Sequence, residues 1–537
     1  MKKISKTNLL LIAVLIFSFL IRFWRLDSNP TGFFCDEALM GIDALSILKT
    51  GKDHHGEFFP LFFKGFNYDN TSPYQVYLTV PFVGLFGLNE RAVRLTPIFW
   101  STIELLIFYL VLTHFIPKSI ALLGTLLLSL SPWHFHISRL NMGDYYSWTF
   151  LTLTSYLFFI KAFKERRMGY FALSALFFGL TTYSYTPSRL ITPIVFGLTI
   201  LLLFFKKYFK VAFLMIFLYV IVLIPFIHFH LTDPHSLQRI KDTMGIDIEN
   251  QPVQNQLHTA RLNHFWKKYF LHYSDTFLFQ KGDTDFPGQF IRRHSIAGLG
   301  LLYPYQKILI IVGIVWSIIE IIKKKKIELT FVFFLLFLFP IADSLTNDGT
   351  PFATRSYLGV LPFHILIAFG LWSIFQILSK LSTSYKYWAK MIFVFSLVIA
   401  IFLSALNLLQ RFRENPRTTS DFWGWQYGSR EIMKYFLSIK DQYDDLYMSG
   451  EFNSGEIFLK FYDPKSTCQE KCKMGDLWRD PQIYNSSRRQ LFSLSPEYLN
   501  NSGFKNRFLV EKTLNYPNGK VAFLIGKIVP IGKVDTK

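Results

Sequence analysis

The sequence predicts a polytopic α-helical membrane protein with about eleven transmembrane helices and a small extracytoplasmic α/β domain at the C-terminus. Three observations carry that prediction. Of 537 residues, 51% are hydrophobic and 18% charged, and the apolar residues fall in long blocks almost free of charge, as lipid-facing segments require. Fifty-nine Phe, 27 Tyr and 11 Trp suit helices with aromatic belts at the two membrane surfaces. Beyond residue 410 the long apolar blocks stop and short alternating runs begin.

A window of about 20 residues, the length that crosses a bilayer, finds spans near 8–26, 92–114, 118–133, 145–162, 169–185, 189–205, 210–230, 304–322, 327–342, 355–378 and 388–410. The first has a basic flank like a signal peptide, but no small-residue cleavage site follows it, so it reads as a retained helix. The segment 76–88 is apolar but short and holds Pro81, which suits an interfacial or re-entrant helix.

The net charge is +20, from 57 Lys and Arg against 37 Asp and Glu. The excess collects in the short links 161–167, 206–210, 323–326 and 380–390. With residues 1–6 inside, all four links fall inside, as the positive-inside rule asks, and an odd number of spans leaves the C-terminus outside. The charge thus serves topology in a multi-pass cell-membrane protein, and no nucleic-acid partner is needed to account for it. The chain divides into a membrane domain, 1–410, with outer loops 27–91 and 231–303, and an extracytoplasmic domain, 411–537. That tail has alternating runs at 445–448 and 521–525, an amphipathic stretch at 429–439, and turns at Asp463-Pro464 and Asn518-Gly519. Cys468 and Cys472 are close enough to pair outside, leaving Cys35 over. The chain has no GxxxxGK[ST], GxGxxG, HExxH or CxxC, so an ATP-driven pump or a soluble nucleotide enzyme is not indicated.

What remains is a set of polar residues at the outer membrane boundary. Asp36-Glu37 follows the first span amid aromatics; paired carboxylates near apolar surface tend toward a raised pKa, as a general base needs, but an acidic pair also suits the start of a short helix over 38–49. Asp43, seven positions on, would share a helix face with Asp36. The segment 131–144 brings His134, His136 and Asp144 to the boundary. The histidines read as interfacial packing, and an acidic residue at a membrane rim as functional or as a helix cap. Thr182-Tyr183-Ser184-Tyr185-Thr186-Pro187-Ser188-Arg189 and Asn347-Asp348-Gly349-Thr350-Pro351-Phe352-Ala353-Thr354-Arg355 each deliver an arginine outside. Arg189 and Arg355 suit either phosphate binding or snorkelling to headgroups, and Tyr183 and Tyr185 are candidate pocket residues.

The ordered series Phe34-Cys35-Asp36-Glu37-Ala38, Ser72-Pro73-Tyr74-Gln75-Val76-Tyr77, the run from Leu85 to Leu95 that contains Asn89-Glu90-Arg91-Ala92-Val93-Arg94, and the 138–144 segment resembles the C-type membrane glycosyltransferases (GT-C fold). Within them it is similar to glycosyltransferase family 39 and the related bacterial enzymes that include the lipid A aminoarabinose transferase and the protein O-mannosyltransferases. The resemblance covers roughly residues 8–200 closely and the remaining helices by layout. It implies a polyprenyl-phosphate sugar donor, a catalytic Asp36 and a supporting Asp144. Many relatives carry Lys-Pro-Pro or Glu-Lys-Pro-Pro where this chain has Asp69-Asn70-Thr71-Ser72-Pro73, so the basic residue of that loop is missing.

The expected activity is transfer of a hexosyl or pentosyl group to a lipid, protein or glycan acceptor at the outer face of the membrane. Asp36 serves as base, with Glu37 and Asp144 beside it, and Arg189 and Arg355 hold the donor phosphate. A magnesium or manganese ion on Asp36, Glu37 and Asp144 would suit their oxygen donors, and the sequence leaves that open. The rival from another class is a transporter or flippase of lipid-linked or small polar substrates, whose mark would be ionisable residues such as Glu104 and Glu320 inside apolar blocks.

Overall fold

The structure, a computed structural model, describes residues 5–66, 70–238, 255–346, 349–468 and 470–530. Asp69, Asn347 and Asp348, singled out above, lie outside the described residues. Each apolar block folds as helix: Lys6–Phe23, Glu90–Leu112, Lys118–Ser129, Tyr145–Glu165, Met168–Thr181, Ser188–Phe205, Phe209–Thr232, Gln306–Lys324, Thr330–Leu338 continued by Ile341–Ser344, Val360–Ser379, and Thr383–Thr419. By length and composition, seven helices among the described residues are long and apolar enough to cross a membrane, and Lys118–Ser129 and Met168–Thr181 are shorter apolar helices. The helices Gln306–Lys324 and Val360–Ser379 touch backbone to backbone at two glycines. A Cβ on Gly313 would sit 1.9 Å from the Leu366 carbonyl oxygen, and one on Gly370 2.0 Å from that of Leu309, so only glycine permits this approach.

The first outer loop folds around the helix Cys35–Thr50. Asp36 and Glu37 lie in its first turn, where the helix dipole favours negative charge, and Glu37 Oε2 accepts from the Phe34 amide at 3.4 Å. The segment 76–88 belongs to two short helices, Pro73–Tyr77 and Val80–Phe86. Before them a two-residue strand β1, Phe63–Lys64, pairs antiparallel with β2, Asn70–Thr71.

Glu37 is the packing centre of this loop. Its carboxylate meets Arg94 of the helix Glu90–Leu112, with Nε to Oε1 at 3.0 Å and Nη2 to Oε2 at 2.6 Å, and both side chains are fully buried. Arg94 also donates to the carbonyls of Leu26, Pro30 and Gly32, while the Asn141 amide donates to Glu37 Oε1.

The tail is a five-stranded mixed sheet with helices. The strands are β3, Asp445–Ser449; β4, Cys472–Gly475; β5, Gln490–Leu494; β6, Phe508–Asn515; and β7, Val521–Ile528. Their order is β4-β3-β5-β7-β6, parallel at β3/β4 and β3/β5 and antiparallel elsewhere. Cys468 and Cys472 form a disulfide, and Cys35 is a buried free thiol. The amphipathic stretch is the helix Ser429–Ile439. Its Ile432, Met433 and Phe436, with Phe458 and Phe461, share one hydrophobic core with Phe33, Ala38 and Leu39 of the first outer loop. Buried Glu90 accepts from Arg430 at 2.8 Å and from Tyr462 at 2.5 Å, so the tail is bolted onto the membrane domain.

Removing one partner of a buried ion pair strands the other charge, at a cost of about 3–5 kcal/mol. Glu37→Ala should therefore lower the melting temperature of the detergent-solubilised protein sharply, while the neighbouring Asp36→Asn leaves it near wild type. Equal melting of both variants would return Glu37 to an ordinary first-turn acid.

Candidate active site

A cavity of about 600 Å³ opens between the first outer loop, the 138–144 segment, the outer ends of several membrane helices and the tail. Two carboxylates, Asp36 and Asp144, and three guanidiniums, Arg189, Arg293 and Arg355, line it, with Tyr185 beside them. Successive residues of a helix project about 100° apart. With Glu37 fastened to Arg94, the first turn therefore turns half-buried Asp36 toward the cavity.

Asp144 stands at the N-cap position of the helix Tyr145–Glu165, and its Oδ2 accepts from the Ser72 hydroxyl. Burial pushes its carboxyl up to about 6, with hydrogen bonds from Ser147 and Ser72 opposing. Ser72 also accepts from the Tyr74 amide at 3.2 Å and caps the helix Pro73–Tyr77. Gln75 next to it donates to the Asn141 carbonyl at 2.5 Å, so the Ser72-to-Gln75 motif braces the loop that carries Asp144.

Each arginine is held in place rather than left to wander. Arg189 lies 4.7 Å from the Phe62 ring centroid and donates from Nη2 to the Asn70 carbonyl at 3.0 Å. Arg355 lies 4.3 Å from the Phe352 centroid, and its Nη1 reaches Thr346 Oγ1 at 2.9 Å and Asp343 Oδ1 at 3.5 Å. Arg293 stacks on Phe34 at 4.0 Å and donates to the carbonyls of Trp423 and Gly424, both at 3.3 Å. Burial pushes the Arg293 guanidinium below its ordinary value, and Asp36 opposes that. The Cys35 thiol, next to Asp36, is pushed well up by burial and by that carboxylate, which makes it an inert packing group.

The sequence-derived set divides here. Asp36, Asp144, Arg189, Arg355 and Tyr185 come together in one cavity, and three other candidates do not. Glu37 is corrected to a structural ion pair, both of its oxygens being engaged by Arg94. Asp43 points into a separate contact, accepting from His54 Nδ1 at 2.7 Å and from the His54 amide at 2.9 Å. Tyr183 donates to the Val222 carbonyl at 2.6 Å and stacks on Phe62. The three-carboxylate metal set of Asp36, Glu37 and Asp144 is therefore not assembled, and among the described residues no group of three or more His, Cys, Asp or Glu could hold a metal ion. The histidines are packing groups: His134 Nδ1 meets Arg22 at 2.7 Å and His136 Nε2 the Arg293 carbonyl at 2.9 Å.

Arg293 is the residue that sequence reasoning missed. The available signal is Arg292-Arg293 in a loop expected outside, against the positive-inside trend expected of the short basic links. Asn453 and Ser454 of the tail also border the cavity, with no local pattern to mark them.

With the geometry in view, residues 70–230 match the family described as dolichyl-phosphate-mannose-protein mannosyltransferase. No curated protein matches the chain. Among solved structures, ArnT from Cupriavidus metallidurans in the apo state is similar with a TM-score of 0.55 at 12% identity, over 97% of this chain and 97% of that one. The same protein bound to undecaprenyl phosphate gives 0.52 at 11%, over 97% and 98%. The oligosaccharyltransferase AglB from Archaeoglobus fulgidus, in complex with an inhibitory peptide and a dolichol-phosphate, gives 0.52 at 13% over 84% of this chain, which spans 59% of that protein's length. The chain thus shares the GT-C fold of these proteins.

An unfolded Asp titrates near 3.8 and Asp144 here near 6, so the folded chain holds this proton more tightly. Its stabilising contribution is complete below the unfolded value and is lost as pH rises through about 6. Melting temperatures should fall from about pH 4.5 to about pH 7 by more in wild type than in Asp144→Asn, and parallel curves would remove the shift.

Proposed function

We propose that this protein transfers a sugar from a polyprenyl phosphate to an acceptor hydroxyl at the outer face of the membrane. The observation that carries the reading is the single cavity in which Asp36 and Asp144 share walls with Arg189, Arg293 and Arg355. ArnT is known bound to undecaprenyl phosphate and AglB in complex with a dolichol-phosphate, which agrees with a lipid phosphate as donor.

A sugar on a polyprenyl phosphate already carries a good leaving group. The chemistry needs a base for the acceptor hydroxyl and cations for the departing phosphate. In the proposed step the acceptor oxygen attacks the anomeric carbon as the carbon–oxygen bond to phosphate breaks. The acceptor proton passes to Asp36, and the polyprenyl phosphate leaves with the bonding pair. One direct displacement inverts the anomeric centre. A placed base contributes about 100-fold to 10,000-fold in rate. Guanidinium suits the leaving group because it binds two phosphate oxygens at once and stays charged when buried. Asp144, lining the same cavity, supports the site. The acceptor is a lipid, a protein or an envelope glycan.

The transporter reading draws less support. Glu104 accepts from Thr149 at 3.0 Å and faces His134 at 3.7 Å, while Glu320 pairs with Lys324 and Lys326. Neither glutamate lines the cavity.

Purified protein incubated with radiolabelled polyprenyl-phosphate sugars should move label off the lipid. Asp36→Asn keeps the shape and loses the basicity, so transfer should fall at least about 100-fold while donor binding survives. Arg355→Lys keeps the charge but loses the planar fork, and should weaken donor use about tenfold. Wild-type turnover in Asp36→Asn would sink the base assignment, and wild-type kinetics in Arg355→Lys the phosphate contact.

The same reading orients the chain with its N-terminus cytoplasmic and its tail outside. In intact cells an impermeant thiol reagent should label Asn485→Cys and spare Lys324→Cys. Labelling of the latter would overturn that orientation.

A further inference from the structure

Asp283 is a fully buried carboxylate that the proposed chemistry does not use. It stands at the neck of a loop, 282–295, that carries Arg293. Reciprocal hydrogen bonds close the neck. The Thr284 hydroxyl donates to the Ser295 carbonyl at 2.8 Å and accepts from the Ser295 amide at 3.2 Å. The Ser295 hydroxyl oxygen accepts from the amides of Asp283 and Thr284, at 3.2 and 3.0 Å. Arg293 is thus two residues from a closed ring of bonds, and its own carbonyl is 2.9 Å from His136 Nε2.

The segment 350–355, which carries Arg355, docks on this neck. Asp283 Oδ2 accepts from the Ala353 amide at 2.9 Å, and His294 Nδ1 lies 3.5 Å from the same oxygen. One atom therefore meets the residue after Arg293 and the residue two before Arg355. The other carboxylate oxygen, Oδ1, is buried with no hydrogen-bond partner among the described residues, so the bonding of Asp283 is spent on this junction. An unsatisfied buried polar atom calls for a reason. Three more contacts join the same two segments. The His294 ring lies 5.4 Å from that of Phe352, on which the Arg355 guanidinium stacks at 4.3 Å, and Gln289 Nε2 donates to the Thr350 hydroxyl at 3.0 Å. Both arginines line the cavity.

We propose that Asp283 and His294 are positioning residues that lock the Arg293 and Arg355 segments together, so that the two guanidiniums meet the phosphate of one lipid-linked donor as a preset pair. This rests on the sugar-transfer reading above. Each guanidinium can bind two phosphate oxygens, and groups ordered before the ligand arrives lose less freedom on binding.

The test pairs binding of undecaprenyl phosphate alone, in detergent, with steady-state kinetics on the labelled donor. Asp283→Leu should weaken binding and raise the donor KM, each about tenfold, with kcat held within about twofold. Asp283→Asn, whose carbonyl oxygen still accepts the Ala353 amide, should recover most of the loss. Two arginines that act on one phosphate should be coupled: Arg293→Lys and Arg355→Lys should be non-additive in lipid binding in the wild-type background and additive in Asp283→Leu. A fall in kcat at unchanged KM, an Asp283→Asn variant as poor as Asp283→Leu, additivity in the wild-type background, or coupling that survives Asp283→Leu would overturn the proposal. If Asp283→Leu does not fold, His294→Phe decides. It keeps a ring against Phe352 and loses the contact with Asp283, should raise the donor KM about threefold, and overturns the proposal if its KM is that of wild type. Failure of the wild-type protein to bind either undecaprenyl phosphate or dolichyl phosphate is a different result, and it defeats the donor assignment itself.

Discussion

The site depends on one buried ion pair, Arg94 with Glu37. From a single guanidinium, Arg94 holds the Glu37 carboxylate and the carbonyls of Leu26, Pro30 and Gly32. Its charged face lies 5.2 Å from the Phe33 ring centroid and 5.7 Å from that of Trp425. Glu37 in turn receives the Asn141 amide. The first outer loop, the second long helix, the 138–144 loop and the start of the tail therefore meet at one point. A buried pair of this kind pays for its own desolvation and adds little net stability. What it supplies is geometry: with Glu37 immobile, its neighbour Asp36 has one direction left, and that direction is the cavity.

The tail belongs to this arrangement. It shares a hydrophobic core with the helix Cys35–Thr50 and lends Asn453 and Ser454 to the cavity wall. Two of its non-glycine residues, Gln426 and Ser454, hold positive φ, +49° and +48°, and the Gln426 side chain accepts from the Asn453 amide at 3.2 Å. Such backbone persists only where the surroundings over-determine it, and here both positions flank the contact that holds Asn453 and Ser454 at the cavity wall.

The three arginines show how a charged residue at a membrane boundary becomes a fixed group. Each has an aromatic ring under its guanidinium and a backbone or hydroxyl oxygen at its edge. A snorkelling side chain keeps its rotamer freedom and reaches for headgroups. These three give that freedom up within the fold, so an anion in the cavity would meet guanidiniums already ordered.

Much of this was legible in the sequence, because apolar length and charge placement are local properties. A block of about 20 apolar residues must hide its backbone in a helix wherever it sits in the chain. The acidic pair after the first helix, Asp144 and the two boundary arginines were visible because ionisable groups beside lipid are costly without a purpose. The turn and strand signals of the tail, such as Asn518-Gly519 between β6 and β7, were equally local. The division of labour within the pair was not. Asp36 and Glu37 have the same charge and adjoin one another, and only Arg94, 57 positions beyond Glu37, assigns one to structure and the other to the cavity. Asp43 and Tyr183 sit at plausible spacings, yet His54 and Val222 claim them. Arg293, Asn453 and Ser454 reach the cavity through contacts between segments far apart in the chain. Periodicity and composition determined which segments are apolar enough to enter the membrane and which carry charge to its boundary; tertiary contacts alone decided which of those charges meet, because a side chain's direction is set by whichever distant partner binds its neighbour.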